Sequence, residues 1–156
     1  MWVKIWSTRK KVLKAIQERF ENVTYQYTNS TFLKGNKKNM TLDIFLPDYN
    51  IGIEYQGVHH FTSLKVFGGD KALNIVSARD RYKYQKCLEN GVKVFYISFE
   101  RKVPEDYFAP VYRTIEDLIN AINTYIEKQN GKKIIKITEN ELKRIIKESI
   151  YLLIKK

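Results

Sequence analysis

The chain is short of three things: it has one cysteine, Cys87, two histidines, His59 and His60, and 17 acidic residues against 28 basic ones. A single cysteine excludes an intramolecular disulfide and a thiolate-rich structural zinc site, and it suits a reducing cytoplasm. No stretch approaches the roughly 20 apolar residues needed to cross a bilayer. The opening MWVKIWSTRKK carries no apolar run of signal-peptide length. A soluble cytoplasmic protein without a membrane partner is therefore expected. Internal repeats and low-complexity tracts are also lacking. The shortage of acids leaves a formal net charge of +11, which favours nucleic acid over an anionic membrane surface as partner.

What is present suits a folded domain. An apolar share of 44% with 11 Tyr and 8 Phe in 156 residues supports a sizeable core, with room for a terminal appendage.

The most informative stretch is Thr41 to Phe61, TLDIFLPDYNIGIEYQGVHHF. It predicts two strands around a Pro47-Asp48-Tyr49-Asn50 turn, with Leu46 paired to Ile51, Ile44 to Ile53, and Asp43 to Glu54. Side chains alternate along a strand. Leu42, Ile44, Leu46, Ile51, Ile53 and Tyr55 then form one apolar face, and Thr41, Asp43, Glu54 and Gln56 the other. Two carboxylates facing each other across a ladder repel unless a cation, a proton or a hydrogen-bond donor compensates. The plain alternative is a solvated hairpin face neutralised by nearby lysines. Against it, the Ile- and Leu-rich strands point to a central position. Hard oxygens from Asp43, Glu54 and Gln56 suit Mg²⁺, or Mn²⁺ in its place. His59 and His60 follow at once and offer proton transfer near neutral pH.

Around this hairpin the pattern predicts a mixed α/β arrangement with helices on both sides of one sheet. Ser7 or Thr8 is expected to cap a helix to about Phe20, buried through Val12, Leu13, Ile16 and Phe20, with Arg9, Lys10, Lys11 and Lys14 on its outer surface. Asn22 to Thr28 alternates as a strand. Gly68-Gly69 permits unusual backbone angles in an irregular segment. Ser77 is expected to cap a helix to about Asn90, closed by Gly91. Val92 to Ser98 reads as a buried strand, and Pro104 and Pro110 bracket a loop. Thr114-Ile-Glu-Asp117 resembles a capping box opening a helix to about Gln129. Lys132 to Ile137 reads as a short strand. A second capping box, Thr138-Glu-Asn-Glu141, opens an amphipathic helix through Leu142, Ile145, Ile146, Ser149, Ile150 and Leu153. That helix is expected to pack on its own domain or to serve a homodimer or protein partner.

The string DIFLPDYNIGIEYQGVHHF is followed by Phe67-Gly68-Gly69, Arg79-Asp80, Lys83, Cys87 and Asn90-Gly91-Val92 before a strand through Phe99. In this order the motifs resemble the core of PD-(D/E)XK nucleases, in particular the branch of very short patch repair endonucleases and Glu-Asp-x-His-Asp homing endonucleases of phages. The resemblance spans residues 41–100. It implies a restriction-endonuclease-like αβββαβ core in residues 1–130 and an amphipathic helical extension in 131–156. It also implies Asp43 and Glu54 as metal-site acids with Gln56 beside them, His60 as general acid or base, and Asp80 and Lys83 completing the site. The implied function is Mg²⁺-dependent DNA endonuclease activity of homing or nicking type, in a phage or its bacterial host.

Two departures from the family pattern stand out. Gln56 replaces its lysine, and Lys10 stands where relatives often carry a first-helix Glu, with Glu18 a poorly spaced substitute. The alternative is therefore a catalytically reduced DNA-binding or virion-associated protein that keeps the fold. The basic loop Lys34, Lys37 and Lys38, together with Lys10, would hold DNA phosphates. Lys65 or Lys83 would stabilise the transition-state charge. Tyr49, Tyr55 and Phe61 are expected to pack rather than to stack on bases.

Overall fold

The structure, a computed structural model, describes residues 2–35 and 38–154. It is an α/β protein built on one five-stranded mixed sheet. Helix α1 (Trp2–Gln17) is followed by β1 (Thr24–Thr28), β2 (Thr41–Leu46) and β3 (Ile51–Tyr55), then α2 (Gly69–Glu89), β4 (Lys93–Ile97), a two-residue β5 (Val111–Tyr112) and α3 (Ile115–Ile154). Spatial order follows chain order, β1-β2-β3-β4-β5. The β1/β2 and β2/β3 pairs are antiparallel, and the β3/β4 and β4/β5 pairs are parallel. A parallel pair needs a long crossover, and α2 provides it between β3 and β4.

The hairpin has the expected register from the turn to Ile44, with Leu46 facing Ile51 and Ile44 facing Ile53. The ladder ends there, so Asp43 is not a ladder partner of Glu54 but accepts from the Tyr55 amide. Leu42 joins the cluster of Phe45 and Tyr96 instead of the opposite face. Between them Pro47–Tyr49 forms a single 3-10 turn, and Asn50 takes left-handed angles (φ 51°) to re-enter the sheet. Every residue of β3, and all of β2 but Thr41, is buried. The Asp43 and Glu54 face is therefore not a solvated surface. Burial on both faces is the mark of a central strand.

Several helix limits differ from the sequence expectation. Helix α1 starts at Trp2 rather than at Ser7 or Thr8, and ends at Gln17. Val12, Ile16 and Phe20 are buried as expected, but Arg9 turns inward instead of joining the outer surface. Helix α2 starts at Gly69, two turns before Ser77, because Gly68 and Gly69 take positive φ (96° and 64°) and swing the chain directly into it. Its end does follow the sequence. Gly91 (φ 73°) donates to the Leu88 carbonyl and Val92 to that of Cys87, the paired bonds of a Schellman close.

Residues 1–119 and 120–156 form two compact units. In the first, Leu33, Leu42, Phe45, Cys87, Val92, Val94, Tyr96 and Ala109 make one core cluster, flanked by Tyr84, Tyr107 and Phe108. Tyr107 and Phe108 lie in the loop that Pro104 and Pro110 bracket. Phe61 packs edge-on against Tyr107 and Tyr49 against Phe20, so both serve packing as expected. The Thr114 cap is real: its hydroxyl accepts from the Asp117 amide at 3.0 Å and donates to that carboxylate at 2.7 Å.

The second unit corrects the expectation of a short strand and separate C-terminal helices. The residues from Lys132 to Ile137, and the supposed cap at Thr138, lie inside α3, which runs unbroken for 40 residues. β-Branched residues disfavour a helix only slightly, and an isolated strand has no ladder partner here. Leu142, Ile145 and Ile146 are exposed. No helix among the described residues is long and apolar enough to cross a membrane.

Candidate functional site

Six side chains singled out in the sequence come together at the centre of the sheet. Asp43 on β2, Glu54 on β3 and Gln56 just beyond it, His60 in a 3-10 turn (Val58–His60), and Asp80 and Lys83 on α2 are all buried. The spacing of three between Asp80 and Lys83 puts both on the inner face of α2, so they are not an exposed helix pair. They serve different partners. Asp80 Oδ2 lies 2.6 Å from His60 Nδ1. Lys83 Nζ lies 2.7 Å from Glu54 Oε2 and donates to the Thr41 carbonyl at 3.0 Å. Asp43 Oδ2 accepts from the Tyr55 amide at 3.0 Å, and its Oδ1 lies 3.4 Å from Arg9 Nη1.

Electrostatics follow from this burial. Burial pushes Glu54 up from 4.5 to about 7; Lys83 opposes the shift, and Asp43 and Asp80 add to it. The repulsion between Asp43 and Glu54 inferred from the ladder is thus felt at Glu54. Burial likewise raises the Cys87 thiol to about 12, which leaves it inert. His59 is half-buried, and burial, His60 and Arg9 lower it to about 4. The two imidazoles lie 4.1 Å apart, centre to centre, but His60 is the one held by a carboxylate.

The cluster also contains polar atoms that nothing satisfies. Glu54 Oε1, Asp80 Oδ1, both amide atoms of Gln56 and the hydroxyls of Tyr96 and Tyr107 are buried without a hydrogen-bond partner among the described residues. A buried, unsatisfied polar group costs about 1–3 kcal/mol, so a concentration of them marks a place where a ligand, an ion or water belongs.

Sequence reasoning missed three members. Arg9, not Lys10, is the α1 residue that reaches the acids. Tyr96 faces Glu54 directly in the parallel β3/β4 ladder, and the carboxylates of Glu54 and Asp80 help to raise both its hydroxyl and that of Tyr107. The ladder partner of Glu54 was the available signal, but it required knowing that β4 runs parallel to β3. Glu18, the proposed substitute acid, is instead exposed and 3.9 Å from Lys14. Lys10, Lys34, Lys38 and Lys65 are exposed, and Lys37 lies outside the described residues.

The donor set fits a hard divalent cation. Among the described residues no three His, Cys, Asp or Glu side chains form a ready cluster of ligands. Mg²⁺ does not require one, since it binds through one or two carboxylates, several waters and substrate phosphate. Asp43, Glu54 Oε1 and Gln56 Oε1 are the oxygens on offer. Comparison of the chain with protein-family models, curated proteins and solved structures finds no match.

Proposed function

We propose that the chain is a Mg²⁺-dependent endodeoxyribonuclease with a restriction-endonuclease-like core. The observation that supports this best is the set of unsatisfied oxygens on Glu54, Gln56 and Asp80 beside a buried His60–Asp80 pair. The element order, helix, three strands, helix, strand, accords with the αβββαβ core that the motifs resemble. Asp43, Glu54 and Gln56 would hold the cation, whose chemistry is to neutralise phosphate charge and acidify a bound water.

The protein's own groups have separable tasks. A carboxylate accepts and does not donate, so the proton in the His60–Asp80 contact belongs to Nδ1. His60 Nε2 is then the nitrogen that takes or gives a proton, and Asp80 fixes its tautomer and orientation. Lys83, held between Glu54 and the Thr41 carbonyl, keeps the Glu54 carboxylate in place. The exposed lysines Lys10, Lys34, Lys38 and Lys65 would neutralise DNA phosphates without reading sequence. Burial and nearby aromatics make Tyr96 and Tyr107 walls of the site.

A second reading is a catalytically reduced DNA-binding or virion-associated protein. It is favoured by one observation: Arg9 and Lys83 already pair with Asp43 and Glu54, so internal cations neutralise both acids. A plasmid-nicking assay separates the two readings. Mg²⁺-dependent nicking that Asp43→Ala and Glu54→Ala abolish supports the nuclease; DNA binding with no cleavage supports the alternative.

The second unit carries a surface of its own, for which we infer a second copy of this chain as occupant. Leu142, Ile145 and Ile146 recur at helical spacing on one exposed stripe. Glu139 and Glu141 precede it, and Lys143 and Lys147 are interleaved with and follow its apolar residues. Pairing of two copies along this stripe would bury the apolar residues against one another, a self-complementary contact of the kind a two-fold interface makes.

A further inference from the structure

Arg9 is held differently from the other cation of the site. The Lys83 side chain is 9% exposed and fixed by two short contacts. The Arg9 side chain is 28% exposed, and its contact to Asp43 runs from Nη1 alone. At 3.4 Å that contact is longer than the roughly 2.7–2.9 Å of a charge-assisted hydrogen bond. Its Nε is buried without a hydrogen-bond partner among the described residues. Its charge is felt at Tyr55 and at His59, which sets the guanidinium beside the segment carrying Glu54 and His60. An arginine fork matches phosphate geometry with two parallel donors. Here one donor reaches an acid loosely, another is unsatisfied among the described residues, and the side chain is partly open to solvent.

We propose that Arg9 is a displaceable counter-ion, which neutralises Asp43 in the metal-free chain and exchanges that carboxylate for a DNA phosphate oxygen when a divalent cation binds. The proposal rests on the metal-dependent nuclease reading above. Arg9 and the cation compete for one carboxylate, so removal of the guanidinium favours the cation. A phosphate that engages Arg9 relieves the same competition, and by linkage DNA and metal strengthen each other's binding.

The test uses the full chain with Mn²⁺ as probe, read by electron paramagnetic resonance of the free ion without DNA. Duplex binding is read separately by fluorescence anisotropy at saturating Ca²⁺, the condition in which the proposal sets Arg9 on phosphate. Arg9→Met keeps the apolar stem, Arg9→Lys keeps the charge, and Asp43→Asn removes the contested acid. Expected are Mn²⁺ binding about fivefold tighter in Arg9→Met than in the wild type, weaker duplex binding in that variant, and an Arg9→Lys variant close to wild type. Equal or weaker Mn²⁺ binding in Arg9→Met, with wild-type binding that Asp43→Asn abolishes, overturns the counter-ion role and leaves the metal site standing. Tighter Mn²⁺ binding with unchanged duplex affinity contradicts the exchange onto phosphate. If neither wild type nor Arg9→Met binds Mn²⁺, the nuclease reading fails and the proposal with it.

Discussion

His60 and Asp80 meet at 2.6 Å with side chains only 6% and 2% exposed, at the junction of a 3-10 turn and an α-helix. A carboxylate that holds one ring nitrogen leaves the other to exchange protons, which is the geometry of an oriented acid–base histidine. Asp80→Asn should leave the fold and the affinity for DNA nearly unchanged while lowering kcat about 10²–10⁴-fold. His60→Ala should lose a comparable factor. The double variant should be little worse than either alone, because the two residues act as one unit. Single-turnover cleavage with each variant checks this; additive losses would mean that the residues act separately.

Glu54 makes metal-free stability depend on pH. Its carboxyl is raised from 4.5 to about 7 in the folded chain, so the folded state holds the proton more tightly than the unfolded state. The stability linked to this proton is fully present below about pH 4.5 and is lost as pH rises through about 7. The loss is on the order of 3 kcal/mol. Thermal melts in chelator should show Glu54→Gln flattening the fall in Tm between pH 5 and pH 8. Added Mg²⁺ should raise the wild-type Tm more at pH 8 than at pH 5, because only the ionised carboxylate binds it well. A pH profile unchanged by Glu54→Gln would show that Glu54 is not the titrating group.

The hairpin was legible in the sequence because strand alternation and a proline-led turn fix a register by themselves. The same holds for the Thr114 cap and the Gly91 close, whose rules are local. Arg9 was not legible. Helical spacing puts it on the face of Val12 and Ile16, but its charge argues for the outer surface, and only the folded chain shows Asp43 there to receive it. Tyr96 reads as one more apolar residue of a buried strand until β4 is known to run parallel to β3, which sets its hydroxyl beside Glu54. The residues from Lys132 to Ile137 misled for the opposite reason: their local β preference is weak, and the continuing backbone ladder of α3 overrides it.

Phosphate contact by the exposed lysines predicts a steep salt dependence of DNA binding. The slope of log affinity against log salt should fall by about 0.9 for each lysine removed. A Lys34→Ala/Lys38→Ala chain should therefore lose affinity for all duplexes alike and keep its kcat at saturating DNA. Anisotropy titrations over a salt series measure the slope; an unchanged slope would place the phosphate contacts elsewhere.

Pairing of two copies through α3 predicts concentration-dependent mass. Sedimentation equilibrium should show self-association of the wild type, and Ile145→Glu should abolish it by setting a charge in the centre of the stripe. Persistence of the dimer in Ile145→Glu would assign the interface to another surface.

The most direct measurement is an anomalous difference map from crystals soaked in Mn²⁺. The metal-site assignment predicts a peak about 2 Å from carboxylate oxygens of Asp43 and Glu54, next to Gln56 and absent from Asp43→Ala crystals. A map without density there, with Arg9 still on Asp43 and Lys83 still on Glu54 at saturating metal, would contradict it.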